Sequence, residues 1–383
     1  MKKINTNSAL GIFFVMVLAL IFLINLLASD KSFSAEENRV LQKFPSFSLS
    51  SYLEGRYEKK LDTYASDQFL LRNQLIKVKT SLDVTCGKLE SNGVYRAKDH
   101  YLMEALQVPT NHWMERTSDS LEQFKRTYKD LDMYFMLAPN AANILKDKLS
   151  PSVNMNDQNQ AMDAFLDNVK DAGITPIDIR KTLSAYAAQD NVQLYYKTDH
   201  HWTTDGAFIA YKDAVKKMKL TDQVSYKRYV VKNDFRGTLA SKSGFVNGEN
   251  DPLSIYLPNN DKDYHNSVIY YADTKEKTTN FYHLDNLDEK DTYTVFGGSN
   301  HPIYTIKTPT ADNRRLLLIK DSYANSMIPF LAQNYREIVV VDPRYFYENI
   351  EDIIKAEDVT DVLFLYNANT FFADNSLSMM LTA

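Results

Sequence analysis

Two short segments, far apart in the chain, carry residue types that could do acyl chemistry together. One is Thr198-Asp199-His200-His201-Trp202-Thr203, and the other is Leu318-Ile319-Lys320-Asp321-Ser322-Tyr323-Ala324. In an extended segment, positions i and i+2 face the same side. Asp199 could then hold His201 through Nδ1–H and leave Nε2 to take a proton from a hydroxyl. Ser322 follows the apolar run Leu316-Leu317-Leu318-Ile319 and precedes a helix-like run over residues 323–331. A serine at a strand-to-helix turn presents its hydroxyl to a cleft. Backbone N–H groups and the positive helix end lie close enough to stabilise an oxyanion. The expected catalytic set is therefore Asp199, His201 and Ser322, suited to acyl transfer or ester hydrolysis. His200 is expected to point the other way, and Trp202 to pack.

Plainer readings compete. Asp321 or Ser322 could simply cap a helix, since both are good caps. Asp199, His200 and His201 could bind a metal, but adjacent residues rarely bring both imidazoles to one ion. His265, His283 and His301 are scattered, and no C-x-x-C spacing occurs. No metal and no cofactor are expected.

Further oxyanion or substrate-binding candidates fall at loop and strand-end positions. Gly297 and Gly298 allow close backbone approach, and Asn300 follows them with an amide donor. Asn140 and Asn367 stand past the apolar runs 133–137 and 362–365. Arg344 follows another strand end, where it could bind a substrate oxygen or form a loop salt bridge.

These residues need a scaffold, and the chain has material for one. It has 383 residues, 44% hydrophobic and 24% charged, an ordinary globular composition with room for a large core. The net charge of −5 argues against broad phosphate-backbone binding, and no basic stripe interleaved with aromatics occurs, so nucleic acid is not an expected partner. The 25 tyrosines and 20 phenylalanines are read mostly as packing, with exposed rings available to stack on sugars. Cys86 is the one cysteine, so no internal disulfide is possible; it is read as a small buried hydrophobe.

Lys2 and Lys3 precede an uncharged run from Ala9 to Ala28, interrupted in polarity only by Asn25. The run matches the ~20 residues that span a bilayer and exceeds a usual cleavable signal core. The positive end should stay in the cytoplasm, leaving the rest outside. A signal anchor is expected; cleavage near Ser32-Phe33-Ser34 is the alternative, which would release a secreted chain.

Residues 31–60 read as a stalk, with Glu36-Glu37-Asn38-Arg39 and Pro45 as turn and helix-start signals. Residues 56–89 read as a helix, and Asn92-Gly93 as a turn into a short strand. From about residue 117, helices and strands alternate. Helix candidates are 118–129, 157–172 and 204–218, the last with Thr204 as cap. Strand candidates are 133–137, 174–179, 315–319, 338–341 and 362–365. Such alternation predicts an α/β three-layer sandwich around a mostly parallel sheet. Residues 220–312 break the rhythm with turn signals (Asn247-Gly248, Pro252, Pro258-Asn259-Asn260) and read as a β-rich insertion. The expected divisions are 1–30, an anchor with a cytoplasmic tip, 31–116, and a catalytic domain over 117–383.

Asp199-His200-His201-Trp202 spells the motif of the DHHW family. The chain resembles that family and the wider AlgX/AlgJ group of SGNH-hydrolase-like proteins. The resemblance extends to Glu37-Asn38-Arg39, Pro45, Asp67-Gln68-Phe69, Arg72, Asn92-Gly93-Val94-Tyr95, Gly297-Gly298 through Asn300, Lys320-Asp321-Ser322-Tyr323, and Asp342-Pro343-Arg344-Tyr345-Phe346. It implies an SGNH-like fold and an extracytoplasmic, membrane-anchored protein that O-acetylates an exopolysaccharide or cell-wall polymer. A membrane-bound O-acyltransferase would be the acetyl source. By motif, Ser322 is the nucleophile, His201 the base and Asp199 the orienting acid. The usual Gly-Asp-Ser block is here Lys320-Asp321-Ser322. The competing class is a non-catalytic polysaccharide-binding scaffold, and the two separate on whether Ser322, His201 and Asp199 meet within hydrogen-bond reach.

Overall fold

The computed structural model describes residues 6–34, 39–221, 224–245, 248–259 and 266–382. Glu36-Glu37-Asn38, Asn247, Asn260 and His265 of the sequence reading lie outside the described residues. The chain divides into two compact units, Met1–Lys88 with Gly244–Val246, and Leu89–Ser243 with Asn247–Ala383. The sequence reading drew its corresponding boundary at 116/117.

In the smaller unit, Thr6–Leu27 forms one helix. Its stretch Ala9–Leu27 is long and apolar enough to cross a membrane, with a mean hydropathy of 2.9. The single helix expected over 56–89 is two, Arg56–Asp67 and Arg72–Thr85. Leu71 breaks it with a φ of 60°, a left-handed conformation that a helix interior cannot hold. Cys86 caps the second helix and is exposed, not buried as expected.

The larger unit is built on an eight-stranded mixed sheet. In chain order the strands are β1 (Asp132–Ala138), β2 (Thr175–Ile177), β3 (Val268–Tyr271), β4 (Lys277–Thr278), β5 (Ile303–Lys307), β6 (Arg315–Lys320), β7 (Glu337–Val341) and β8 (Asp361–Asn367). Their spatial order is β4-β3-β5-β7-β6-β8-β1-β2. Pairings from β7 through β2 are parallel, and those from β7 outward through β5, β3 and β4 are antiparallel. The apolar runs predicted as strands are strands. The expected insertion is no detached module: its later part supplies β3, β4 and β5, extending the sheet.

Alternation along the central strands sorts residues into two cores, one per face. Tyr134, Met136, Leu316, Leu318, Ile338, Val340, Leu363 and Leu365 pack with residues of the helix Thr204–Lys217. Phe135, Leu137, Leu317, Ile319, Val339, Val341, Val362 and Phe364 pack with residues of Asn111–Thr127 and Asn159–Asp171. The result is the expected three-layer sandwich. The cap of Thr204–Lys217 is Thr203, which accepts from the Gly206 N–H, rather than Thr204, whose hydroxyl donates to the Ser254 carbonyl.

The carboxyl ends of β6, β8 and β1 lie side by side, which is where parallel sheets place their functional groups. Ser322 follows β6, Asn367 ends β8 and Asn140 follows β1.

Candidate active site

Ser322 opens a tight 3-10 turn, Ser322–Ser326, where a longer helix was expected; Ile328–Leu331 is the helical remainder. Asp321 explains the turn. One of its carboxylate oxygens accepts from the Tyr323 N–H at 2.9 Å and the other from the Asn367 N–H at 2.8 Å. The side chain thus caps the turn and pins it to β8. Asp321 is fully buried, and burial pushes its carboxyl above the usual range against the pull of Arg344 and these amides. Ser322 itself stays partly accessible.

The segment 197–201 is a bend rather than a strand. A Tyr195–Trp202 bridge closes its base, with Tyr196 N–H donating to the His201 carbonyl. Asp251, at the start of the hairpin strand Asp251–Pro258, braces the bend from behind. It accepts from Lys197 N–H at 2.8 Å, Thr198 N–H at 2.9 Å and Thr198 Oγ1–H at 2.6 Å. From the front, Trp202 Nε1–H donates to the Tyr323 carbonyl and Ser326 Oγ, both at 3.0 Å, and Tyr323 O–H donates to the His200 carbonyl. The serine turn and the histidine bend are thereby fastened together.

Asp199, His201 and Ser322 meet. His201 Nδ1 lies 2.6 Å from Asp199 Oδ1, and His201 Nε2 lies 2.8 Å from Ser322 Oγ. Asp199 Oδ1 also accepts from the His201 N–H at 3.0 Å. Its Oδ2 accepts from Thr238 N–H at 2.8 Å and Thr238 Oγ1–H at 2.9 Å. Stripping water from a carboxylate costs several kcal/mol. Four hydrogen bonds from protein donors take the place of that water. Burial opposes ionisation of Asp199, yet the adjoining imidazoles and these bonds hold its carboxyl well below the usual range.

For His201 the balance runs the other way. Burial, aided by the neighbouring His200, lowers its pKa to about 4 despite Asp199. At neutral pH the imidazole is unprotonated, the form that can accept the Ser322 proton. Acid should abolish turnover by filling Nε2. The acid limb of kcat/KM is therefore expected well below the ordinary 6.5, towards about 4. A pH–rate profile checks this, and a limb at 6.5 or above would contradict it.

Four neighbours carried no local sequence signal. Tyr293 stacks on His201 with ring centroids 3.6 Å apart and planes 7° apart. Gly237 approaches Asp199 so closely that an added Cβ would lie 2.2 Å from the Asp199 Cβ. Thr238 and Asp251 hold the loop as described. His200 does not point away. Its ring centroid is 3.8 Å from that of His201, and its Nδ1 is 2.8 Å from Thr238 Oγ1. The bend, by replacing an extended strand, removes the alternation that would have separated the two rings.

Donor atoms of Asp199, His200 and His201 lie within 4.8 Å of one another, a spacing that could hold a metal. Both His201 nitrogens are, however, engaged by Asp199 and Ser322. A metal would have to break this chain of bonds.

The remaining candidates are distributed unevenly. Gly297 has a φ of 82° and lies beside the Asn325 side chain of the serine turn, 3.6 Å from where its Cβ would be. Gly298 gives its N–H to the Thr294 carbonyl. Asn300 is exposed. Asn140 Oδ1 accepts from the Asn369 N–H at 3.2 Å. Asn367 is committed to structure: its N–H goes to Asp321 and its Oδ1 caps the helix Ala368–Ala373. Arg344 clasps Asp342 through two bonds of 2.9 and 2.6 Å. The buried Asp342 also faces Lys320 Nζ at 3.5 Å, and a desolvated carboxylate needs such cations. Arg344 is thus a salt bridge.

The family model described as the SGNH hydrolase-like domain of acetyltransferase AlgX matches residues 101–264. The fold is SGNH-hydrolase-like. The resemblance read from the sequence is borne out, although the matched stretch contains Asp199 and His201 and stops short of Ser322. Among solved structures, a DHHW family protein from Eubacterium siraeum is 21% identical with a TM-score of 0.63, covering 76% of this chain and 95% of that one. PatB1 of Bacillus cereus, solved with a sulfonyl adduct, is 19% identical with a TM-score of 0.59, covering 74% and 98%. At these identities the likeness is one of fold. No curated protein matches the sequence.

Proposed function

We propose that this chain is an extracytoplasmic serine O-acetyltransferase acting on a polysaccharide. The reading rests above all on one observation, the continuous chain from Asp199 through His201 to Ser322 with spacings of 2.6 and 2.8 Å. Ser322 would attack an acetyl ester while His201 Nε2 takes its proton. Acetyl-Ser322 forms and the donor alcohol leaves with that proton. A sugar hydroxyl then gives its proton to Nε2 and takes the acetyl group, and Ser322 Oγ recovers that proton as its ester bond breaks. The match to an acetyltransferase domain supports the reaction class. The apolar helix Thr6–Leu27 would hold the enzyme to the outer face of the membrane, beside a membrane-bound O-acyltransferase that delivers acetyl groups. Oxyanion donors would come from the Ser322 turn and from Gly297, with Asn140 past the end of β1, two strands over.

The full chain in detergent, given p-nitrophenyl acetate and an acetyl-free oligosaccharide, tests this. Nitrophenolate release, an acetyl group on the Ser322 peptide and an acetylated sugar are expected. Release without sugar acetylation would make the protein an esterase. A folded chain that never carries acetyl on Ser322 would instead be a binding scaffold.

A further inference from the structure

A second Asp–His–Ser chain stands outside the one just described. Asp273 lies in the turn between β3 and β4, and His301 lies just before β5. The antiparallel register pairs Tyr271 with Tyr304 and so brings these ends together. His301 Nδ1 is 2.8 and 3.0 Å from the two carboxylate oxygens of Asp273. His301 Nε2 is 3.1 Å from Ser299 Oγ. The face of Tyr271 covers the His301 ring, with centroids 4.1 Å apart and planes 27° apart. That is the same kind of support that Tyr293 gives His201. Tyr271 Oη is in turn 2.9 Å from His283 Nε2, so the supporting ring is itself fixed. The His301 side chain is 6% exposed, whereas Ser299 is open to solvent. An oriented, sheltered imidazole therefore addresses an accessible hydroxyl.

A simple cap or loop clasp needs only one of these bonds. Here the carboxylate occupies Nδ1, which places the acceptor lone pair on Nε2, facing the serine. The preceding Gly297 and Gly298 both have positive φ, 82° and 70°, so the chain turns sharply just before Ser299. Gly297 adjoins Asn325 of the Ser322 turn, which puts this loop beside the first nucleophile's turn.

We propose that Ser299, with His301 as its base and Asp273 as the orienting acid, is a second acyl-accepting nucleophile that takes small acyl groups from activated esters. Ser299 Oγ attacks the ester carbonyl carbon as its proton passes to His301 Nε2. The bond from that carbon to the leaving oxygen breaks. The departing alcohol takes the proton, and an ester of Ser299 remains. Nothing in this step requires Ser322.

The test uses the full chain carrying Ser322→Ala, treated with p-nitrophenyl acetate and mapped by peptide mass. Acetyl on the peptide containing Ser299 is expected. It should vanish with an added Ser299→Ala and form about tenfold or more slowly with an added Asp273→Asn. Asp273 is partly exposed, so its replacement should leave the melting temperature unchanged, and that is measured alongside. A folded Ser322→Ala chain with no acetyl on Ser299 would overturn the proposal. So would labelling that Asp273→Asn leaves untouched, because it would be ordinary surface-serine chemistry. The wild-type map reports Ser322 acetylation separately, so failure at one serine is distinguishable from failure at the other.

Discussion

Ser322→Ala is expected to lower nitrophenyl acetate turnover by about a thousandfold or more, equivalent to about 4 kcal/mol of transition-state stabilisation. Alanine removes the proposed nucleophile and leaves the scaffold intact, because the bonds that fasten the turn run through Asp321, Trp202, Tyr323 and Ser326. The melting temperature should therefore hold. His201→Ala should lose a comparable factor, and the double variant little more, since nucleophile and base act as one unit. Slow acetylation remaining in Ser322→Ala should map to Ser299. A Ser322→Ala enzyme that keeps a tenth of wild-type turnover would remove Ser322 from the reaction.

Asp199→Asn is the second large effect, expected at roughly 10³–10⁴ in kcat. Every group facing this carboxylate is a donor: His201 N–H and Nδ1–H on one oxygen, Thr238 N–H and Oγ1–H on the other. An amide can present only one oxygen. Turned towards His201, it sets its NH2 against the Thr238 N–H. Turned towards Thr238, it sets NH2 against His201 and drives the imidazole into the tautomer with hydrogen on Nε2, which cannot take a proton from Ser322. Steady-state kinetics with a parallel thermal melt separate lost tautomer control from lost fold. A variant within tenfold of wild type would show that Asp199 does not orient the base.

The strands were legible because burial on both faces demands unbroken apolar runs, and β1, β6, β7 and β8 have them. The meeting of Asp199, His201 and Ser322 was legible for a different reason. The carboxylate and the imidazole are two residues apart, and the serine follows such a strand. The rest of the site lies in contacts without local periodicity. Tyr293, Gly237, Thr238 and Asp251 reach the site from other parts of the chain, and no local pattern around them marks the ring stack, the close approach or the hydrogen bonds. His200 lies against His201, and not on the opposite side, because Asp251 and Thr238 impose a bend where the sequence predicts an extended segment. Arg344 and Asn367 stood at sensible positions, but Asp342 holds the Arg344 guanidinium and the Asn367 side chain caps the helix that follows it. His301, distant in sequence from Asp273 and Tyr271, becomes their neighbour only through the antiparallel register of β3 and β5.

On the proposed acetyl transfer, the tyrosine lying flat on His201 would have a kinetic consequence. A ring held 3.6 Å beneath another, with its far nitrogen bound to Asp199, has no room to rotate between the two halves of a reaction. Whatever proton Nε2 collects must be returned from the same edge, through the same opening. The first alcohol must therefore vacate before the second can present its hydroxyl. Donor and acceptor would compete for one doorway, so excess of either should inhibit, and initial-rate plots at several fixed concentrations should give parallel lines.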